Sequence, residues 1–145
     1  MRETTADIWG YHGRAIIAIT TSGSCARSGR AVMGRGVARQ AALRFPGLPE
    51  QLGELLGREG NHVHPLSHDL VSFPVEESAW ACPELRLISR SARELRDMAD
   101  KKGWTQIVVP RPGCGGGGLD WNEVSPLLEE HFDDRFVVIT APALP

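Results

Sequence analysis

Short apolar segments alternate with helix-forming segments along this chain, and that alternation restricts its possible folds more than any other feature. Residues 15–21 are rich in β-branched side chains and stop at a Ser-Gly-Ser sequence, so they predict a buried strand. Three further apolar runs predict strands at residues 70–75, 106–110 and 136–140. A shorter strand is predicted at 62–66, and Pro74 indicates a strand end or a sheet edge.

Helix-forming segments occupy the intervals between these strands. In residues 83–103, apolar side chains recur at i+3 and i+4 with charges between them, which predicts a long amphipathic helix. Shorter helices are predicted at 37–44, from 49 or 50 to about 59, and from 120 or 122 to 132. Strands that alternate with helices favour an α/β fold whose largely parallel sheet is covered on both faces.

The length and composition favour one globular domain over residues 1–145. The formal net charge of −2 argues against strong non-specific binding to nucleic acid. No apolar run approaches the roughly 20 residues that span a bilayer, and residues 1–7 lack a secretion signal, so we expect a cytoplasmic protein that does not bind a membrane. The odd number of cysteines, three, favours reduced thiols.

Two glycine-rich loops each follow a predicted buried strand and precede a predicted helix. We call residues 29–36 the first glycine loop and residues 111–119 the second glycine loop. Glycines let backbone N–H groups approach an anion, and the start of a helix favours negative charge. Either loop alone fits a tight turn equally well, but together they predict a clasp for a diphosphate. Gly34 is followed by Arg35 rather than by the Lys of a P-loop, and the dinucleotide fingerprint does not appear at the first strand–helix turn.

Four motifs in this order resemble those of macrodomains. They are Ile19-Thr20-Thr21-Ser22-Gly23, residues 31–38 (AVMGRGVA), Phe73-Pro74-Val75, and residues 112–121 (PGCGGGGLDW). The resemblance is strongest to the branch of terminal ADP-ribose glycohydrolases and DNA ADP-ribosyl glycohydrolase antitoxins, and it covers nearly the whole chain. It implies a three-layer α/β/α sandwich with a mixed central sheet. It also implies a cleft for ADP-ribose or for an ADP-ribosylated protein or nucleic acid, without a cofactor or a metal.

The resemblance also assigns roles to individual residues. Asp7 matches the residue that accepts a hydrogen bond from the adenine amino group, and Asp120 matches an acidic residue beside the distal ribose, where hydrolysis occurs. Thirteen residues are expected to bind the ligand: Asp7, Ile8, Thr21, Ser22, Gly34, Gly36, Val37, Gly113, Cys114, Gly115, Gly116, Gly117 and Gly118.

Two positions depart from the family pattern. Ser22 stands where many members have Asn, and Glu76 stands where the lysine-dependent enzymes have Lys. A carboxylate forms no Schiff base with an opened sugar, and the two lysines, Lys101 and Lys102, lie at the end of the long helix. Two functions therefore stay open: hydrolysis with Asp120 and Glu76 as catalytic carboxylates, and a reader of ADP-ribose, or of another phosphorylated nucleoside, that does not turn it over.

Each candidate residue also has a structural interpretation. Asp120 precedes a helix and fits an N-cap. Glu76 and its neighbour Glu77, which is a further candidate carboxylate, fit solvated loop positions better than catalytic ones. Cys114 lies near a helix start that would stabilise a thiolate, yet we interpret it as a small loop residue. His62, His64 and His68 lack enough partners for a metal site. Trp9 and Trp80 are candidates for stacking on a base, but core or surface packing is the commoner role for a lone tryptophan.

Overall fold

The computed structural model describes residues 1–143; residues 144 and 145, which the single-domain prediction includes, lie outside them. The described residues form six strands: β1 (Arg2–Thr5), β2 (Ile16–Ser22), β3 (Pro65–Leu66), β4 (Leu70–Glu76), β5 (Ile107–Pro110) and β6 (Phe136–Thr140). They form four α-helices: α1 (Gly36–Arg44), α2 (Leu48–Glu59), α3 (Leu85–Lys102) and α4 (Trp121–Glu129). A 3₁₀ helix, Ile8–Tyr11, follows β1. None of the helices in this range is long and apolar enough to cross a membrane.

The strands form one sheet in the order β1-β6-β5-β2-β4-β3. Every neighbouring pair is parallel except β3 and β4, which are antiparallel. The predicted mixed sheet is therefore confirmed. The predicted strand at 62–66 was too long, because only Pro65 and Leu66 pair with β4.

The sheet is covered by helices on both faces, which confirms the predicted α/β/α sandwich. Successive side chains of a strand point to opposite faces. In β2, Ile17 and Ile19 join a core cluster that contains residues of α1 and α2, whereas Ala18 joins a cluster with residues of α3 and α4. Along β6, Val137 and Val138 divide between the two clusters in the same way. The apolar runs are therefore buried on both faces, as expected for parallel strands.

The order of the strands reverses at β2, and this reversal positions the functional site. From β2 the chain passes through α1 and α2 to reach β3 and β4 on one side, and then through α3 to reach β5 on the other side. Ligands in open α/β sheets bind beyond the carboxyl ends of the strands at such a switch point. The first glycine loop lies between β2 and α1 and the second lies between β5 and α4, so both lie at this edge.

Candidate functional site

Two adjoining cavities open at the carboxyl ends of β2, β4 and β5, with volumes of about 250 and 260 Å³. Thr20, Arg35 and Glu76 lie in the walls of both, so we describe the two cavities together as the cleft. The Ser22 cavity is further lined by Thr21, Ser22, Val32, Met33, Gly34, Ala38, Ala79 and Trp80. The glycine cavity is further lined by Gly36, Val37, Val75, Pro83, Pro110, Arg111, Gly113, Gly115, Gly116 and Gly117.

The first glycine loop is fixed in place by its backbone. The Ala31 N–H donates to the Pro49 carbonyl of α2 at 2.8 Å, and the Val32 N–H donates to the Ser24 carbonyl at 2.9 Å. Gly53 of α2 lies so close that a Cβ there would be 1.9 Å from the Gly29 carbonyl oxygen. The loop is therefore held against α2 before any ligand binds.

The start of α1 faces the glycine cavity without a protein cap. Arg35 occupies the N-cap position and makes no side-chain capping bond, and the first turn contains no acidic residue. The N–H groups of Gly36, Val37 and Ala38 have no partner within the helix, because the first turn of any α-helix leaves them unpaired. Such N–H groups, together with the positive end of the helix dipole, form an anion site.

The second glycine loop is closed by its own residues. The Leu119 N–H donates to the Gly113 carbonyl at 2.9 Å. A Cβ at Gly117 would lie 2.6 Å from Pro83 Cγ and 2.7 Å from the Gly113 carbonyl oxygen, so this position requires glycine. At Gly115 and Gly116 an added Cβ would meet nothing within 4 Å. These two glycines leave open space in the cleft wall, where a ligand can approach the backbone closely.

Glu76 is buried, so the expectation of a solvated loop position was wrong for this residue. It is the last residue of β4 and is 8% exposed, and its two carboxylate oxygens each accept a hydrogen bond from Arg35 Nη2 at 3.3 Å. The neighbouring Glu77 side chain is half exposed and pairs with Arg86 at 3.1 Å, as a solvated position predicts. Its ion-pair partner Arg35 lies 41 residues away in the sequence.

Known proteins resemble this chain in sequence. No family model matches the sequence. The chain is 28% identical over 120 residues to the ADP-ribose glycohydrolase OARD1 of Homo sapiens, covering 77% of this chain and 74% of that protein. It is 27% identical over 122 residues to the DNA ADP-ribosyl transferase-DNA ADP-ribosyl glycohydrolase fusion protein of Thermosipho africanus, covering 67% of this chain and 31% of that protein.

Solved structures share the whole fold. The macrodomain of Mycobacterium tuberculosis DarG matches with a TM-score of 0.78 at 23% identity, over 99% of this chain and 97% of that chain. The chain has the macrodomain fold. Thermosipho africanus DarTG in complex with ADP-ribose matches this chain with a TM-score of 0.77 at 20% identity, over 99% of this chain and 43% of the longer one.

Asp7 and Ile8 lie at the same edge of the sheet but line neither cavity. The Asp7 carboxylate caps the 3₁₀ helix by accepting from the Trp9 N–H at 3.1 Å, and Ile8 is buried in the core. The contact between Asp7 and adenine stays a prediction.

Asp120 is exposed and caps α4, where its carboxylate accepts from the Asn122 N–H at 2.9 Å. It also lines neither cavity, whereas Glu76 lines both. The predicted N-cap is confirmed, and a catalytic role for Asp120 stays a prediction.

Three further predicted residues lie around the cleft. Thr21 and Ser22 are buried at the end of β2, and Ser22 Oγ accepts from the Ser24 N–H at 3.4 Å. Cys114 lines neither cavity. Burial raises the pKa of the Cys114 thiol, Arg111 lowers it and Asp120 raises it, with a net increase. The interpretation of Cys114 as a small loop residue fits this position.

Several residues of the cleft wall were not assigned to the site from the sequence, among them Arg35, Arg111 and Trp80. Arg111 stacks on Trp121 at 4.7 Å and pairs with Glu3 at 3.6 Å. Trp80 is 83% exposed, whereas Trp9 is buried and donates from Nε1 to Gln40 Oε1 at 2.7 Å. The available signal for Arg35 was its position immediately before a helix and inside a glycine loop.

The three histidines have separate surroundings. His62 Nδ1 lies 2.9 Å from Glu94 Oε2, His64 Nε2 lies 2.8 Å from the Gly60 carbonyl oxygen, and His68 stacks on Phe45. Among residues 1–143, no group of three or more His, Cys, Asp and Glu side chains is positioned to hold a metal ion.

Proposed function

We propose that this macrodomain binds ADP-ribose, either free or attached to a protein or a nucleic acid. The observation that supports this most is the start of α1, which opens into the cleft with no side-chain cap and no acidic residue in its first turn. The diphosphate of ADP-ribose is the part of the ligand that uncapped N–H groups recognise. The second glycine loop faces this helix start across the glycine cavity.

The form of the cleft fits a ligand with a charged centre and a polar end. The glycine cavity supplies backbone N–H groups for the diphosphate, and the Ser22 cavity supplies hydroxyl groups of Thr20, Thr21 and Ser22 for the distal ribose. The names of the relatives support the same ligand, since one is an ADP-ribose glycohydrolase and one was solved in complex with ADP-ribose.

Hydrolysis of the ADP-ribosyl linkage is the second candidate function, and the position of Glu76 in the walls of both cavities favours it. Two observations weigh against it. The Glu76 carboxylate is engaged by Arg35, and the second predicted carboxylate, Asp120, is engaged in capping α4. We therefore propose binding as the primary function, without a lysine adduct.

A calorimetric titration with ADP-ribose tests the proposed function, with AMP as the matched control. AMP retains the adenosine and one phosphate but lacks the diphosphate bridge and the distal ribose. We expect ADP-ribose to bind at least about tenfold more tightly than AMP, because charge-assisted hydrogen bonds to the second phosphate are lost in AMP. Absence of heat with ADP-ribose at high micromolar concentration would contradict the proposal.

Turnover is measured separately with an ADP-ribosylated protein and an ADP-ribosylated oligonucleotide. A reader releases no ADP-ribose from either substrate. If ADP-ribose is released, the variant Glu76→Gln decides whether Glu76 takes part, because glutamine keeps the shape of the side chain and removes its basicity.

A further inference from the structure

Arg35 occupies an unusual place in the cleft. Its side chain extends from the N-cap position of α1 to Glu76 at the end of β4, and both residues line both cavities. The ion pair therefore lies where the Ser22 cavity meets the glycine cavity. A ligand that fills both cavities therefore lies next to this ion pair.

The geometry of the pair is that of a weak contact. Both hydrogen bonds are donated by the same atom, Nη2, at 3.3 Å. Strong pairs between arginine and a carboxylate use two nitrogens and are about 2.7–2.9 Å long. The Arg35 side chain is also 65% exposed, whereas that of Glu76 is 11% exposed. Glu76 is thus the fixed partner, and the guanidinium is the one that can turn.

The alternative partner for Arg35 is the anion that the start of α1 attracts. Arg35 immediately precedes the free N–H groups of Gly36 and Val37, so a phosphate bound there lies next to the base of its side chain. A diphosphate carries more charge than the Glu76 carboxylate and offers more acceptor oxygens, and the planar guanidinium binds phosphate with two parallel hydrogen bonds.

We propose that Arg35 is a binding residue for the ligand diphosphate and that Glu76 is a positioning residue that holds Arg35 across the cleft until the ligand arrives. This inference rests on the proposed function. Binding exchanges the Arg35 contact with Glu76 for a contact with phosphate, so the carboxylate competes with the ligand. The negative charge of Glu76 thereby lowers the affinity for ADP-ribose through Arg35.

A double-mutant cycle measured by calorimetry with ADP-ribose tests this competition. We expect Arg35→Gln to weaken binding about tenfold, because one charge-assisted contact to phosphate is lost. We expect Glu76→Gln to strengthen binding about fivefold, because Arg35 then gives up no contact with a charged carboxylate when it binds the phosphate. In the Arg35→Gln background, the same Glu76→Gln change should alter the affinity by less than about twofold.

The pair between Arg30 and Glu50 provides the matched control. Its atoms are 2.8 Å apart, both side chains are about half exposed, and Arg30 lies in the same glycine loop but lines neither cavity. Glu50→Gln changes the net charge by the same amount as Glu76→Gln. We expect Glu50→Gln to change ADP-ribose affinity by less than about twofold, since salt screens the effect of an exposed charge outside the cleft on the ligand.

Each outcome separates the inference from the proposed function. Equal strengthening by Glu76→Gln in both backgrounds overturns the inference, because Glu76 then acts on the ligand by direct repulsion. A lower ADP-ribose affinity in Glu76→Gln also overturns the inference, because the ion pair then stabilises the binding-competent cleft. In both cases the proposed function stands, provided that the wild type prefers ADP-ribose to AMP. A wild type without that preference contradicts the proposed function and this inference with it.

Discussion

The two glycine loops begin in the same way, after a buried parallel strand, yet they offer a ligand different groups. The first glycine loop is fastened to α2 and leads into a helix with an open N-terminus, and it carries Arg35. The second glycine loop is folded on itself and leads into a helix that Asp120 caps, with Glu123 in its first turn. The first loop therefore supplies an open helix start, and the second supplies a glycine wall flanked by Arg111.

This difference predicts which helix receives the phosphates. A carboxylate at the start of α4 already satisfies the N–H group of Asn122 and repels a further anion. No such group occupies the start of α1. The diphosphate should therefore lie against α1, with the second loop packed over it.

The largest expected effect comes from giving α1 the negative charge that α4 has. Val37→Asp places a carboxylate in the first turn of α1, beside the expected phosphates. Two like charges about 4 Å apart repel by several kcal/mol in a partly exposed site, so we expect affinity for ADP-ribose to fall about 100-fold. Val37→Asn has nearly the same shape without the charge, and it should lose much less affinity when both variants are titrated in parallel. Equal losses would contradict the assignment of the phosphates to α1.

The next prediction concerns the contact that fastens the first loop. Gly53→Ala forces a Cβ against the Gly29 carbonyl, so we expect the free energy of unfolding to fall by about 2 kcal/mol in a urea titration. Gly57→Ala lies in the same helix, where an added Cβ meets nothing within 4 Å, and should raise stability by up to about 1 kcal/mol. If the two variants are equally stable, the loop is not held by α2.

Trp80 allows a smaller test at the rim of the Ser22 cavity. Because its side chain is 83% exposed, Trp80→Ala should leave the melting temperature unchanged. It removes an aromatic surface from the cleft, and we expect affinity for ADP-ribose to fall about threefold to fivefold. Leu43→Ala is the control, since Leu43 is 72% exposed and lines neither cavity. An unchanged affinity in Trp80→Ala would show that the ligand does not reach this rim.

The smallest effect is expected at the capped helix. Asp120→Ala removes the side chain that caps α4 and should cost about 1 kcal/mol of stability in the same urea titration, whereas Asp120→Asn retains a capping group and should cost less. Neither change should alter ADP-ribose affinity by more than about twofold, because Asp120 lies outside both cavity walls. A large loss of affinity in Asp120→Asn would show that the Asp120 carboxylate contributes to ligand binding.

The sequence predicted the elements whose residues are buried. Strands β2, β4, β5 and β6 consist mainly of apolar residues that pack on both faces. Their positions could therefore be predicted from local runs of apolar residues. Strand β1 was missed because its four residues are all exposed, and it is held at the sheet edge by backbone pairing with β6. The predicted strand at 62–66 was too long, since only Pro65 and Leu66 form ladder pairs with β4 and His64 adds a single backbone bond from the Ser72 N–H.

The candidate site was predictable where backbone geometry determines it and not where distant side chains do. Both glycine loops follow parallel strands, and the carboxyl ends of parallel strands share one edge of the sheet. The alternation of strands and helices therefore predicted that the two loops lie close together. The ion pair between Glu76 and Arg35 did not follow from the pattern, because no local pattern connects positions 41 residues apart. The exposure of Trp80 at the cavity rim likewise depends on how the segment between β4 and α3 folds.

The crystal structure of the chain with ADP-ribose tests the central claim most directly. We expect diphosphate oxygens to lie about 3 Å from the backbone nitrogens of Gly36 and Val37, between the two glycine loops, as hydrogen bonds from an open helix start require. A ligand whose phosphates lie at the start of α4 or outside the cleft would contradict the account.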